Sequence, residues 1–192
     1  MKKLLLLIFF FSSFCYSQNF FNYSSFKTDD PRKIYKINVF YDNSQNLNYL
    51  IIDVESLDII FNKSKFYIKG DQIESFSKYL KFLLNKKIEW DAISLKNKIL
   101  DCDKIIEYED QFKINCIYED GPSKSDTLLH TRYFIKNGKS FISIGTPFYN
   151  DVKPSILIFS DNKLFTQFIN RIDIEKIKIS IKNDYHKKSL LK

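Results

Sequence analysis

At 192 residues, with 44% hydrophobic and 28% charged side chains, the chain is long enough to bury one core without staples and short enough for one domain. Four glycines leave no phosphate-cradling loop, and two histidines with no CxxC spacing supply a metal site poorly, so neither cofactor nor metal is expected. The net charge of +7 is modest and spread along the chain, with some concentration after Arg171.

Lys2 and Lys3 form a positive n-region, and residues 4–14 form an apolar h-region broken only by Ser12 and Ser13. Cys15 and Ser17 place small residues at −3 and −1, so residues 1–17 read as a signal peptide cleaved between Ser17 and Gln18. The apolar run is well short of the ~20 residues that span a bilayer. The expectation is an exported protein, periplasmic or extracellular, with no transmembrane segment in its mature chain. Lipid anchoring through Cys15 is an alternative, opposed by the bulky Phe14 where a lipoprotein needs a small residue. Cleavage removes Lys2 and Lys3, so 30 basic and 23 acidic side chains become 28 and 23, a net +5. Export removes nucleic acid as a partner and leaves an envelope protein or an anionic polymer as the class a basic surface suits.

Residues 18–32 read as a flexible leader, residues 33–186 as a single domain and residues 187–192 as a frayed tail. Ile34, Tyr35, Ile37, Val39 and Tyr41 form a strand, residues 48–54 a second, and residues 57–61 and 65–69 a hairpin about Asn62-Lys63-Ser64. Gly70 then opens the long helix that organises the chain. Asp71 stands at its N-cap and Glu74 completes a capping box. Ile73, Phe76, Leu80, Leu83 and Leu84 make one apolar stripe, with Trp90 at its edge as a core residue. Lys87 and Asp91 fall on the same stripe, so the helix either bends near Asn85, carries them past the sheet edge, or turns a second contact surface outward.

A hairpin turning near Glu109 sets Cys102 opposite Cys116, and in an oxidising compartment the pair reads as a disulfide, with two free buried thiols as the alternative. A loop of this size contributes about 3 kcal/mol when cross-linked. Asn137-Gly138 is a two-residue type I′ turn that pairs Phe134 with Phe141 and Tyr133 with Ile142. Tyr133, Ile135, Ile142 and Ile144 then face the core, while His130, Arg132, Phe134 and Phe141 share the other face and form the candidate binding patch. Residues 155–159 read as a short buried strand, and Ser160 caps a second helix carrying Leu164, Phe165, Phe168, Ile169 and Ile172. Isoleucines 174, 177, 179 and 181 fit neither period cleanly and favour a helix.

The run Lys86-Lys87-Ile88-Glu89-Trp90-Asp91-Ala92, with Asn97, resembles a pattern in small exported proteins of Bacteroidota-type bacteria. The resemblance implies export and fold, and brings no activity with it. The fold class is α+β: one domain, a mainly antiparallel sheet packed on one face by one long and one shorter amphipathic helix. No catalytic residue is assigned. A Ser/His/Asp device would have to use His130 with Ser140 or Ser143, in no recognisable nucleophile context. The leading expectation is therefore a non-catalytic binding or structural component of the bacterial envelope or periplasm, with a secreted hydrolase of unrecognised site as the alternative.

Overall fold

The computed structural model describes residues 19–30, 32–109, 112–148 and 152–190. Residues 1–17, the Ser17–Gln18 cleavage site and Cys15 lie outside the described residues. The fold is α+β, as the alternating and helical patterns require. Ten strands make one antiparallel sheet: β1 Asn19–Lys27, β2 Ile34–Tyr41, β3 Leu47–Ser56, β4 Lys63–Lys69, β5 Cys102–Ile106, β6 Lys113–Tyr118, β7 Ser123–Leu128, β8 His130–Lys136, β9 Lys139–Gly145 and β10 Ser155–Phe159. Three α-helices complete it: α1 Ile73–Lys96, α2 Asn162–Ile169 and α3 Ile174–Ser189. Among the described residues no helix is long and apolar enough to cross a membrane.

The strand order β5-β8-β9-β10-β3-β4-β6-β7 curls back on itself, because β7 runs into β8 through the single residue Leu129. The sheet also forks. One edge of β3 is shared between β2, along residues 47–52, and β10, which pairs only at Glu55 and Ser56. Helix α2 fills that fork with a cluster of rings: Phe26 lies 4.5 Å from Phe168, and Phe159 lies 4.8 Å from Phe165 and 5.4 Å from Phe168. Alternate residues of β2, β3, β4, β6, β8, β9 and β10 point into one core with Ile73, Phe76, Leu80 and Leu83 of α1. Helix α3 adds Ile177 and Ile181 to that core, and the Tyr41 hydroxyl donates to Asp184 of α3 at 2.7 Å.

Several local expectations change. Residues 19–27 are strand β1, not leader; a register shift between Asn22 and Ser24 breaks the alternation that would have revealed it. Residues 57–62 form a loop, so the β3–β4 hairpin begins at Ser56 and Lys63. Asp71 sits inside a 3₁₀ turn, Gly70–Gln72, and no side chain caps α1 there. Gly70 is needed because a β-carbon at that position would fall 1.8 Å from the Leu47 carbonyl oxygen. Asp161, rather than Ser160, caps α2 by accepting from the Lys163 and Leu164 amides. Residues 174–189 are helical into the first half of the expected tail, capped by Asp173.

The Cys102–Cys116 disulfide is corrected. Strands β5 and β6 do not pair with each other: β5 pairs with β8, while β6 pairs with β4 and β7. Cys102 faces Ile135 and Cys116 faces Lys124, eleven residues apart along the continuous β7–β8 stretch. That separation is on the order of 30 Å in an extended strand, against Cα–Cα distances of roughly 4.4–6.8 Å in disulfides. Pairing with β4 sets Cys116 beside Phe66 in the core, which a hairpin with β5 would not do. Both thiols are free; Cys116 donates to Ser155 Oγ at 3.4 Å, and burial pushes its thiol pKa up. Alkylation of the unfolded chain from Gln18, without reductant, should add two labels by mass; a linked pair would add none.

Candidate binding surfaces and the buried charge network

The helical stripe of α1 does not end at Leu84. Lys87, one turn on from Leu83, is completely buried, and its ammonium donates to Asp91 Oδ2 at 2.8 Å and to Ser140 Oγ of β9 at 3.1 Å. An (i, i+4) spacing brings lysine and aspartate to the same side of the helix. Asp91 also accepts from the Tyr133 hydroxyl of β8 at 3.1 Å and from Asn162 Nδ2, at the start of α2, at 3.2 Å. Tyr133 in turn meets Ser94 Oγ at 3.2 Å. The two charges that looked misplaced on the stripe therefore join α1 to the β8–β9 hairpin and to α2. Trp90 packs beside them, its ring edge-on to Tyr133 at 5.2 Å and the Lys104 ammonium 5.5 Å from its centre.

Burial on its own pushes the Asp91 carboxyl up, but the ammonium of Lys87 and the donors from Ser140 and Asn162 outweigh it and hold it below the usual range. Burial is also what raises the Tyr133 phenol. Lys87 and Asp91 are partnered by one another and by Ser140, Tyr133 and Asn162, while Asn162 Oδ1 is itself buried without a hydrogen-bond partner among the described residues.

The predicted patch lies on the other face of the same hairpin. Phe134 and Phe141 pair across the turn, their rings stacked at 5.0 Å and 11°, with Lys139 Nζ 5.3 Å from the Phe141 ring centre. Asn137 and Gly138 both take positive φ, 52° and 73°, as a type I′ turn requires. Arg132 lies one row along, opposite Ser143, and is ion-paired with Asp103 of β5. A shallow depression of ≈ 380 Å³ is lined by Asp103, Arg132, Phe134, Lys136 and Ser143 among others. His130 stands one row further, opposite Gly145, so the rings and the guanidinium are brought together and the imidazole is not. Ser140 lies opposite Ile135 and turns inward to Lys87, away from the face that carries His130; Ser143 shares the His130 face.

A larger surface on the same outer face escaped the sequence reading. Phe20 of β1 lies opposite Phe40 of β2, and Phe40 opposite Tyr49 of β3. The Phe40 and Tyr49 rings are 6.3 Å apart, and Tyr49 meets Tyr67 of β4 edge-on at 6.1 Å. These four rings step across four neighbouring strands, Phe20 exposed and the other three half-buried. Beside them the register lines up Lys36, Asp53 and Lys65 on adjacent strands, with Lys69 opposite Tyr49. The signal was present as Phe20, Phe40, Tyr49 and Tyr67, each one position off its strand's core-facing set. Only the strand pairing gathers them into a row.

No family model, curated protein or solved structure matches this chain.

Removing Asp91 should strand a buried ammonium. Asp91→Ala is expected to cost about 3–5 kcal/mol, the range for breaking one side of a buried ion pair, and Lys87→Met less because Asp91 keeps its Tyr133 and Asn162 donors. Because the folded-state pKa of Asp91 is depressed, its stabilisation is full above the unfolded value of about 3.9 and is lost as pH falls through the folded value. Urea unfolding between pH 7 and pH 2 should show this acid loss in the parent chain and a smaller one in Asp91→Asn.

Proposed function

We propose that this chain is an exported, non-catalytic binding protein of the bacterial envelope or periplasm, and that it holds an extended anionic polysaccharide across the outer face of its sheet. The observation that carries this reading is the row Phe20, Phe40, Tyr49 and Tyr67 with Lys36, Lys65 and Lys69 beside it. Aromatic planes on a sheet face stack on the apolar faces of sugar rings, and flanking ammonium groups meet carboxylates or sulfates along the chain. Strands lie about 4.8 Å apart, so rings on successive strands offer contacts at intervals an extended polymer can follow and a compact metabolite cannot. The stacked Phe134–Phe141 pair and Arg132 also lie on the outward side of the sheet, on β8 and β9. The export signal in residues 1–17 and the resemblance of residues 86–92 to small exported proteins of Bacteroidota-type bacteria support the location.

Titration with polygalacturonate and dextran sulfate, and with neutral dextran as control, tests the reading. Both polyanions should bind at low salt and neutral dextran should not. The pair Tyr49→Ala and Tyr67→Ala should weaken binding about tenfold or more, since a loss of about 1.4 kcal/mol is tenfold in affinity. Lys65→Gln with Lys69→Gln should weaken it and flatten its salt dependence. Equal affinity in the variant lacking the two tyrosine rings, or no binding to either polyanion, would refute it.

A further inference from the structure

The loop between β3 and β4 presents two large apolar side chains to solvent, with Ile59 84% and Ile60 80% exposed. Their exposure is built in. The Asp58 carboxylate accepts from the Ile60 amide at 2.9 Å and the Phe61 amide at 3.3 Å, and its second oxygen accepts from the Lys153 amide at 3.1 Å. The Asp58 amide donates to Ser56 Oγ at 3.1 Å, and the Leu57 amide donates to the Pro154 carbonyl at 2.9 Å. Phe61 turns back to meet Tyr118 edge-on at 6.3 Å, and the absence of a side chain at Gly121 makes room for its ring. The loop is thus bolted at both ends, and the two isoleucines between the bolts point out. Phe148, 70% exposed, lies on the β9–β10 loop, which leaves the sheet at the same end because Gly145 pairs with Ile156 while Ser155 pairs with Ser56.

We infer that this end of the molecule docks on a lipid bilayer, with Ile59 and Ile60 inserted among the acyl chains. A convex apolar tip suits a deformable apolar medium, whereas a folded partner would need a matching pocket. Entering a membrane is costly for backbone amides without partners, and here the Asp58 carboxylate satisfies that of Ile60, one of the two inserted residues, and that of Phe61 behind it. Charge does not drive the contact. Lys63 at the base of the loop is paired with Glu119, and Asp120 on the neighbouring turn is exposed, so the tip fits a zwitterionic surface as well as an anionic one. Insertion by apolar side chains is also what separates this site from the polymer face, whose binding is screened by salt.

The test is co-sedimentation of the chain from Gln18 with vesicles of phosphatidylethanolamine and phosphatidylcholine, in low salt and in 0.5 M salt. Starting at Gln18 keeps the apolar N-terminal segment from binding vesicles itself. The parent chain should sediment with vesicles to a similar extent at both salt concentrations. Ile59→Ser with Ile60→Ser, two exposed positions whose loss leaves the core intact, should lower the bound fraction at least tenfold with an unchanged melting temperature. An Ile60→Trp chain should shift its emission to the blue on vesicle addition, with the parent chain and its Trp90 as baseline. Vesicle binding that is absent, or equal in parent and double variant, overturns the inference. The Tyr49→Ala and Tyr67→Ala chain should bind vesicles like the parent, so failure of the polymer reading would leave this one standing.

Discussion

A lysine ammonium shut away from water fixes how this molecule is put together. A buried charge left without partners costs several kcal/mol, so Lys87 is tolerated only where Asp91 and Ser140 stand within hydrogen-bonding reach. Asp91 is in turn held by Tyr133 and Asn162. Those partners come from α1, from both strands of the β8–β9 hairpin and from the first turn of α2. Apolar contacts alone would let a helix slide along a sheet at little cost, because one isoleucine packs about as well as the next. Directional hydrogen bonds from Lys87 to Ser140 of β9, and from Tyr133 of β8 and Asn162 of α2 to Asp91, do not slide. Replacing a buried ion pair with apolar residues often leaves stability unchanged or higher, so its plainer contribution here is to register.

What could be read from the sequence follows the distance over which its signals act. Asn137-Gly138 needs only its own turn and its flanking alternation, and the expected register of Phe134 with Phe141 and Tyr133 with Ile142 is the observed one. The stripe Ile73, Phe76, Leu80 and Leu83 is likewise buried as its spacing requires, and residues 174–189 form the helix their mixed isoleucine pattern favoured. Pairing between distant strands carries no such local mark. Cys102 and Cys116 sit at positions that a hairpin would oppose, but the open edge of β8 takes β5, and β4 takes β6. Periodicity tells which way a side chain points, not which edge lies next to its strand. That limit also hid the aromatic row: each of Phe20, Phe40, Tyr49 and Tyr67 could be seen as outward-facing, but their alignment depends on three separate pairings. Lys87 and Asp91 were visible on the stripe, and their partner Ser140 was not, since it comes from 53 residues further along the chain.

Stability and the proposed recognition occupy opposite sides of the same strands. In β3, Leu50, Ile52 and Val54 point into the core while Tyr49 and Asp53 point out. In β8, Tyr133 reaches the Asp91 network and Phe134, the next residue, stacks on Phe141 outside. A slip of one residue in either strand would exchange the two sets, placing Asp53 in the core and Tyr133 in solvent. The buried network opposes the slip of β8, because Tyr133 cannot leave Asp91 without taking a donor from a carboxylate that also holds Lys87. The inner network therefore keeps Phe134 and Phe141, on the outer side of β8 and β9, in register. A surface that uses rings on separate strands needs its strands locked, and for β8 and β9 that lock is the pair of hydrogen bonds by which Tyr133 and Ser140 hold a helix-borne charge pair.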